Sequence, residues 1–251
     1  MMVVSWFSCG VSSAVATKLA LQDYPDMEII YQDIEDQHPD SKRFLHECEQ
    51  WFGKKITIQM SNYRNVENVV RQFRWINGSE GAKCTGILKR RVRQEWEIMN
   101  KPTHYVWGFD CSERERKRAA RSVEHMGHVE HIFPLIDKGI TKKMAHGMLQ
   151  KSSIKRPAMY DLGYPNNNCI GCVKGGAGYW NKIRIDFPEV FKKRAELERL
   201  IGASCMHITN PKTKETKKIW LDELNPNVGR KQKIILLDCG MFCEQKESPH
   251  D

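Results

Sequence analysis

The sequence lacks an apolar run that is long enough to span a bilayer. The fairly apolar N-terminal stretch, residues 1–21, is interrupted by Gly10, Ser12 and Ser13, and it lacks the basic segment that a secretory signal requires. Low-complexity tracts and internal repeats are also missing. We therefore expect a soluble, cytoplasmic protein without a membrane partner.

Acidic residues are relatively scarce, because 31 Asp and Glu residues stand against 40 Lys and Arg residues. The formal net charge of +9 indicates an acidic partner, either a nucleic acid or a polyphosphorylated small molecule. A solvated basic surface is the alternative interpretation. Nine cysteines are abundant for a chain of 251 residues that needs no disulfide bonds for stability, so they indicate intracellular thiols or metal ligands.

Strand patterns alternate with helix patterns as far as about residue 133. This alternation predicts an α/β fold with a doubly wound, mainly parallel sheet of the Rossmann-like kind, which binds ligands beyond the carboxyl ends of its strands. The predicted strands are Val3–Phe7, Met27–Tyr31, Ile56–Met60, His104–Gly108 and Val129–Phe133, and the predicted helices are Ser12–Gln22, Ser41–Phe52, Val66–Phe73, Gly86–Met99 and Ser112–Met126.

The pattern changes after residue 140, so we predict one domain over residues 1–140 and a cysteine-bearing C-terminal subdomain over residues 141–251 that packs on it. The C-terminal part carries helix patterns followed by two strand patterns. The predicted helices are Lys142–Gln150 and Pro188–Ile201, and the predicted strands are Lys217–Leu221 and Lys233–Asp238.

A small-residue loop, Ser8 to Ser13, joins the first predicted strand to its helix. Backbone N–H groups converge at such a position, Gly10 permits close approach of an anion, and the hydroxyl groups of Ser8 and Ser13 can donate hydrogen bonds. The loop matches neither a Walker loop nor a dinucleotide fingerprint. It therefore indicates either a phosphate site or a plain capped turn.

Further candidates lie at two helix starts and in two close cysteine pairs. Cys84 begins a predicted helix, where a thiol is expected to have a lowered pKa, although an isolated cysteine is more often filler. Basic residues on the helix after Gly108 form either a phosphate-binding face or a solvated one. The pairs Cys169/Cys172 and Cys239/Cys243 suit a metal, a cluster or a redox thiol. The basic residues are Arg114, Lys117, Arg118 and Arg121.

Taken in order, these motifs resemble the phosphoadenosine phosphosulfate (PAPS) reductase family of the adenine nucleotide α-hydrolase, or PP-loop, superfamily. The resemblance implies that residues 1–140 form a nucleotide-binding PP-loop domain. Cys9 and Ser12 depart from the loop of the ATP-cleaving branch. The residues implied for nucleotide or phosphate binding are Ser8, Cys9, Gly10, Val11, Ser12, Ser13, Asp33, Lys89, Gly108, Arg114 and Arg118.

Cluster-bearing members of the family hold a four-iron cluster with a cysteine pair and a later Cys-x-x-Cys. The resemblance implies Cys84, Cys169 and Cys172 as three ligands here, while Thr85 stands in place of the second cysteine of the first pair. Cys243 is the first candidate for the fourth ligand, ahead of Cys239 and Cys111. Thiolates suit either a 4Fe-4S cluster or zinc, so the metal stays open.

Near the C-terminus, Asp238-Cys239-Gly240 resembles the terminal Glu-Cys-Gly-Leu-His of sulfonucleotide reductases, with Phe242 in place of the histidine. This resemblance implies that Cys239 is the catalytic nucleophile and that thioredoxin or glutaredoxin reduces its product. A Cys239/Cys243 metal pair or redox disulfide is the rival interpretation.

The expected activity is reduction of PAPS or adenylyl sulfate (APS) to sulfite. One alternative is an ATP-dependent sulfurtransferase that modifies a nucleic acid, with magnesium accompanying the nucleotide. A second alternative is a non-catalytic nucleotide or nucleic-acid binding module. We expect a homo-oligomer in each case.

Overall fold

A five-stranded parallel β-sheet forms the centre of the computed structural model, which describes residues 1–78, 81–209 and 213–229. The strand order is β3-β2-β1-β4-β5, and every pairing within this sheet is parallel. The predicted α/β, doubly wound architecture is therefore confirmed. The strands are β1 (Val3–Phe7), β2 (Glu28–Asp33), β3 (Thr57–Met60), β4 (His104–Val106) and β5 (Glu130–Ile132).

Helices cover both faces of this sheet. Apolar side chains of β1 alternate between the faces, so that Phe7 packs with α1 and α2 while Trp6 packs with Tyr105 and Met126 on the other side. The helices of this part are α1 (Val11–Asp23), α2 (Asp40–Phe52), α3 (Val66–Phe73), α4 (Lys83–Thr85), a π-helical segment (Gly86–Arg90), α5 (Arg91–Asn100) and α6 (Glu113–His125).

The sheet changes direction at β1, because β2 lies on one side of it and β4 on the other. At such a point the loops that leave the carboxyl ends of neighbouring strands diverge, and parallel α/β sheets bind ligands in the crevice between these loops. The β1–α1 loop and the segment after β4 both lie at this crevice. The fold thus places the candidate phosphate loop at the expected ligand-binding edge.

The part after residue 133 is mostly helical and ends in an antiparallel hairpin, β6 with β7. Its elements are α7 (Pro134–Asp137), α8 (Lys142–Lys151), α9 (Ala158–Asp161), α10 (Ala177–Asp186), α11 (Pro188–Ile201), β6 (Met206–Thr209), β7 (Thr216–Ile219) and a 3-10 helix (Leu221–Glu223). Residues from this part share a core with β1 and α1, among them Leu135, Ala145 and Leu149. The predicted boundary at residue 140 stays a prediction.

Five elements of this part were not predicted, namely the short helices α7 and α9, the 3-10 helix, α10 and β6. Helix α10 begins among glycines that disfavour helix, and it forms because Trp180 and Ile183 are fully buried. Strand β6 is only four residues long and becomes recognisable through its pairing with β7. The strand predicted at Lys217–Leu221 is observed at Thr216–Ile219, whereas the one predicted at Lys233–Asp238 lies outside the described residues.

A buried carboxylate fastens the hairpin to α11. Glu198 is fully buried and accepts hydrogen bonds from the backbone N–H groups of Cys205, at 2.6 Å, and Leu221, at 2.8 Å. Burial raises the pKa of this carboxyl group. These bonds satisfy the carboxylate in a place where an unpaired one would be strongly destabilising. Elsewhere, no helix in the described ranges has the length and apolar character needed to cross a membrane.

One buried histidine lies behind the β1–α1 loop without a polar partner. The ring of His146 is 1% exposed and packs edge-on against Tyr160, with 4.7 Å between ring centroids. Neither ring nitrogen has a hydrogen-bond partner in the part of the chain that the structure describes. Burial, and then the positive charges of Arg156 and Lys142, lower the pKa of His146 to about 4.

We expect His146→Phe to make the protein less sensitive to acid. In the folded state the ring stays neutral down to pH about 4, whereas an unfolded histidine takes up a proton near pH 6.5, so the free energy of unfolding falls as pH drops through this window. The loss amounts to up to about 3 kcal/mol. Urea denaturation between pH 7 and 4.5 measures it.

The matched control for this substitution is His125→Gln, since His125 is exposed on α6. Carboxylates contribute to acid sensitivity in every variant, so the difference between variants isolates the histidine. We expect the control to follow the wild type, with only His146→Phe giving a flatter profile. Parallel profiles for wild type and His146→Phe would contradict the assigned neutral state.

Candidate functional site

The β1–α1 loop brings two serine hydroxyl groups together at the carboxyl end of β1. Ser8 donates to Ser13 Oγ from both its backbone nitrogen and its hydroxyl group, each at 3.0 Å, and Ser13 donates onward to the carbonyl oxygen of Gly10 at 3.2 Å. Helix α1 begins at Val11, so its first N–H groups point into the same loop. This concentration of donors suits a phosphate oxygen.

Cys9 shapes this loop through its backbone. Its φ of 56° is in the left-handed region, which is uncommon for a residue other than glycine, and its fully buried thiol donates to the carbonyl oxygen of Ser41 at 3.3 Å. Burial raises the pKa of the Cys9 thiol. The buried side chains of Cys9 and Val11 therefore anchor the turn in the core. Ser12 is half-buried.

Gly108, the second residue after β4, packs directly against the loop. A Cβ atom at this position would lie 2.5 Å from Cα and 2.7 Å from the backbone nitrogen of Ser13. Such distances are far below van der Waals contact, so any larger residue would push α1 away from β4. Gly108 thus lies beside the loop through close packing, and its role in binding a nucleotide stays a prediction.

Two residues from distant parts of the chain hold the β1–α1 loop in place through buried hydrogen bonds. Asn167 is 7% exposed, and its amide nitrogen donates to the Cys9 carbonyl oxygen at 2.7 Å and to Ser41 Oγ at 3.0 Å. The buried hydroxyl group of Tyr160 accepts from the backbone nitrogen of Val11 at 3.3 Å, and burial raises the pKa of Tyr160 to about 12. Sequence patterns did not single out either residue as part of the site, because long-range hydrogen bonds leave no local signal.

Two acidic residues, one at the end of β2 and one just after it, have different surroundings. Asp33 ends β2 and accepts a hydrogen bond from the Tyr31 hydroxyl group at 3.4 Å. Asp36 connects α3 with α11. Its carboxylate accepts hydrogen bonds from the backbone nitrogen of Val66 at 2.7 Å and from the buried guanidinium group of Arg194 at 3.3 Å. Burial raises the pKa of Asp36.

The predicted cations differ in whether an acidic side chain already pairs with them. Lys89 is exposed, and its backbone carbonyl accepts from Gln32 at 2.8 Å. Arg118 pairs with Glu115 at 2.6 Å and places its guanidinium 4.8 Å from the Phe109 ring centroid. Arg114 is exposed and has no ion-pair partner among the described residues. Lys117 pairs with Glu113 at 2.6 Å, so the basic face is partly neutralised by its own helix.

Lys142 is a further cation beside the loop that was not among the predicted site residues. Its ammonium group donates to Asn166 Oδ1 at 2.6 Å and lies 5.9 Å from the centroid of the Tyr160 ring. Burial lowers the pKa of Lys142, while the nearby carboxylates of Asp110 and Glu115 oppose that shift. The only sequence signal is a lysine at a helix start, which is too common to be informative.

Three of the predicted ligand cysteines are neighbours in the fold. Burial raises the pKa of Cys169 to about 12, and the thiols of Cys172 and Cys84 lie near enough to add to that shift, while Lys89 opposes it. Cys84 does begin a short helix, but the predicted lowering of its pKa is wrong: burial raises it, and Cys172 raises it further. Loss of hydration therefore outweighs the stabilisation of the thiolate that a helix start provides.

The loop that carries Cys169 and Cys172 is held by two polar contacts. The Tyr179 hydroxyl group accepts from the backbone nitrogen of Cys172 at 2.8 Å and donates to the carbonyl oxygen of Cys169 at 3.1 Å. The backbone nitrogen of Ile170 donates to the carbonyl oxygen of Asp36 at 2.8 Å. The hydroxyl group of Tyr179 therefore closes the turn between the two cysteines.

The three thiols have the right chemistry for a cluster or zinc, but they do not complete a site by themselves. Within residues 1–78, 81–209 and 213–229, no three His, Cys, Asp or Glu side chains are grouped so that they could hold a metal ion. Cys243, the predicted fourth ligand, and Cys239, the predicted nucleophile, both lie outside the described residues. Their roles stay predictions.

The fold and the site together define an α/β protein with a doubly wound, parallel sheet and a turn rich in hydrogen-bond donors after its first strand. More narrowly, the chain belongs to the phosphoadenosine phosphosulfate reductase domain family, whose model matches residues 2–177. The predicted family resemblance is therefore confirmed. The match includes the β1–α1 loop, Gly108, Cys84 and the Cys169/Cys172 pair.

Two individual proteins show how far this similarity extends. The crystal structure of a phosphoadenylyl-sulfate (PAPS) reductase from Candida auris, in a phosphate complex, matches with a TM-score of 0.50 and 12% identity, covering 66% of this chain and 80% of that one. At that identity the likeness shows the fold alone. An uncharacterized protein of Methanocaldococcus jannaschii is 22% identical over 85% of this chain. The match spans 54% of that protein, so this chain corresponds to about half of its length.

We expect Gly108→Ala to destabilise the protein by about 1–3 kcal/mol, because the added methyl group would overlap the backbone of Ser13. Gly127→Ala is the control, since a Cβ atom there would meet only the Val123 carbonyl oxygen at 3.7 Å. Urea denaturation measures both free energies of unfolding. Equal stability of the two variants would show that the approach of β4 to α1 is less tight than described.

Proposed function

We propose that this chain binds an adenine nucleotide at the β1–α1 loop and reduces its sulfonyl group, converting PAPS or APS to sulfite and a nucleotide. The observation that carries the proposal is the 2.7 Å bond from Asn167 to the Cys9 carbonyl oxygen. It fastens the segment that leads into Cys169 and Cys172 to the phosphate loop. Thiols and phosphate donors are thereby held at one edge of the sheet.

The proposed roles follow from charge and hydrogen-bonding capacity. The hydroxyl groups of Ser8 and Ser13 and the first N–H groups of α1 hold phosphate oxygens, with Asp33 at the neighbouring strand end. The cations of Lys89, Arg114 and Lys142 balance the negative charge that phosphate and sulfate bring. Arg118 contributes to the same field, although Glu115 already neutralises part of its charge.

In the proposed reaction, the thiolate of Cys239 attacks the sulfur of the substrate. A bond forms between Cys239 Sγ and that sulfur, the sulfur–oxygen bond to the nucleotide breaks, and the nucleotide phosphate leaves with the electron pair. One thiolate of a dithiol protein such as thioredoxin or glutaredoxin then attacks Cys239 Sγ, and sulfite leaves with the electron pair of the sulfur–sulfur bond. The second thiol of that protein attacks the resulting mixed disulfide, which regenerates the Cys239 thiolate and leaves the dithiol protein as a disulfide. The two electrons that reduce the sulfonyl group therefore come from the external dithiol.

We further propose that Cys84, Cys169 and Cys172 contribute ligands to a bound cluster or zinc, with Cys243 as the fourth. Such a group would tie the Cys169/Cys172 loop to the helix that carries Cys84 and to the C-terminal segment. Because ligand cysteines bind as thiolates, the raised pKa of Cys169 implies that a metal must displace its proton on binding. The chain's own contribution is a preformed loop, closed by Tyr179 and anchored on Asp36.

A second candidate reaction is ATP-dependent sulfur transfer to a nucleic acid, with magnesium accompanying the nucleotide. The observation that favours it is the formal net charge of +9, which exceeds what a single nucleotide substrate needs. The nucleotide loop would be shared by both reactions. Release of pyrophosphate from ATP in the presence of a nucleic acid acceptor distinguishes this reaction from sulfonucleotide reduction.

We expect Cys239→Ser to abolish the formation of sulfite from PAPS and APS when thioredoxin and its reductase supply electrons. The hydroxyl group of serine is a much weaker nucleophile than a thiolate. Cys48→Ala is the control, because Cys48 is buried in the core on α2 and its thiol has no proposed role in the reaction, so the variant should retain activity. Sulfite formation by the serine variant at the wild-type rate would overturn the role of Cys239.

We expect anaerobically purified protein to contain a metal, detected by elemental analysis and a visible spectrum. A cysteine-bound four-iron cluster would give a brown protein, whereas zinc would be colourless. Substituting Cys169 by serine should lower the bound metal several-fold, whereas Cys111→Ser should do so only if Cys111 is the fourth ligand. Metal-free wild-type protein with full activity would contradict the ligand assignment.

A further inference from the structure

Four aromatic rings form a parallel array at the ends of β4 and β5. Trp107 lies 5.8 Å from Phe109 with 2° between their planes, and Phe109 lies 6.0 Å from Phe133 with 22° between planes. His131 completes the array, 6.0 Å from Phe133 at 7° and 6.2 Å from Trp107 at 16°. We call these four residues the ring array.

The ring array faces away from the phosphate loop. Gly108 points at Ser13, and alternation along the strand direction turns its neighbours Trp107 and Phe109 to the opposite face of the sheet. Trp107 is continuous with the β4–β5 ladder, since its backbone nitrogen donates to the Ile132 carbonyl oxygen at 3.0 Å. The rings of the array therefore lie on the opposite side of the chain from Ser13, while Arg118, which borders them, is shared with the proposed nucleotide site.

Hydrogen bonds fix the inner half of the array. Trp107 Nε1 donates to His131 Nδ1 at 2.9 Å, so the other ring nitrogen of His131 carries the proton and donates to the Met126 carbonyl oxygen at 3.1 Å. Burial lowers the pKa of His131, which keeps its ring neutral at pH 7. Binding on this surface would meet rings that are already ordered, which reduces the entropy lost on association.

All four rings are half-buried: His131 lies on β5, at the end of the sheet, and the other three follow the carboxyl ends of β4 and β5. The contacts among the four rings cover only part of their surface, and the rest is exposed to solvent. A group of partly exposed aromatic rings at one place is typical of a binding surface, whereas isolated exposed rings need no explanation. A flat ligand suits this geometry, because the ring planes are nearly parallel and a flat ring can stack on the outermost of them in the same orientation.

Positive charge borders the array. The Arg118 guanidinium lies 4.8 Å from the centroid of the Phe109 ring, and α6, which supplies Arg118, carries five basic residues against three acidic ones. Glu113 and Glu115 neutralise two of these cations through ion pairs. The remaining basic side chains, which are exposed, are Arg114, Arg116 and Arg121.

We infer that the ring array and the adjoining face of α6 bind single-stranded nucleic acid, with unpaired bases stacked on the rings and phosphates along the arginines. Flat uncharged rings beside cations match the alternation of base and phosphate in such a strand. A duplex keeps its bases stacked on one another, so it would reach only the arginines. The inference requires neither proposed reaction at the β1–α1 loop, because the four rings belong only to the array, although Arg114 and Arg118 are also proposed to face the nucleotide.

The test uses fluorescence anisotropy with a fluorescein-labelled, mixed-sequence 20-nucleotide DNA, as a single strand and as a duplex. We expect the wild type to bind the single strand more tightly than the duplex. The double substitution Phe109→Leu/Phe133→Leu should weaken single-strand binding about tenfold or more while leaving duplex binding nearly unchanged. Raising the salt concentration should weaken binding of both forms.

The control for this test is Trp51→Leu. Trp51 is also half-buried, parallel to a phenylalanine within 29° and 5.8 Å from a lysine ammonium group, but it lies at the end of α2. We expect this variant to bind the single strand like the wild type. Equal affinity for single strand and duplex, unchanged affinity of the double variant, or no binding at low salt would each overturn the inference.

A second measurement covers the case in which the double variant does not fold. The single strand carries 5-bromouracil, is bound to wild-type protein and is irradiated, and the crosslinked peptides are then identified. We expect crosslinks in the peptides that contain residues 107–109 and 131–133. Crosslinks confined to other segments would contradict the assigned surface. Because the wild-type protein is used throughout, nucleotide binding at the β1–α1 loop can be measured separately in the same sample.

Discussion

The candidate site depends on one steric constraint, the contact between Gly108 and the first turn of α1. The loops that follow β1 and β4 diverge at this point. An anion can bind between these loops only if the β1–α1 loop stays close to the end of β4. A Cβ atom on residue 108 would occupy the position of the Ser13 backbone. The absence of a side chain at residue 108 therefore sets where the two serine hydroxyl groups point.

A second constraint couples this loop to the cysteines. Asn167 binds the Cys9 carbonyl oxygen, and two residues further on the chain enters the loop that is held by Tyr179 and by the carbonyl oxygen of Asp36. Asp36 is itself fixed by Arg194 of α11. Movement at the phosphate loop would thus be felt at the thiols through short, buried hydrogen bonds rather than through long flexible side chains.

Local patterns were enough to predict the parallel sheet and the serine loop, because an apolar run, a small-residue turn and an amphipathic helix are properties of neighbouring residues. They could not identify Asn167, Lys142 or the Asp36–Arg194 pair, whose partners lie far away in the chain. The pKa of Cys84 was predicted with the wrong sign for the same reason, since the groups that bury it come from other segments. The ring array likewise requires the register of β5 against β4.

The central claim is that an adenine nucleotide occupies the β1–α1 loop and is felt at the cysteine loop. Amide hydrogen exchange, measured with and without saturating PAPS, APS or ATP, tests this most directly. The account predicts slower exchange in residues 10–14 together with residues 167–172 for at least one of these nucleotides. Saturating binding that protects neither segment, or protects only distant ones, would contradict it.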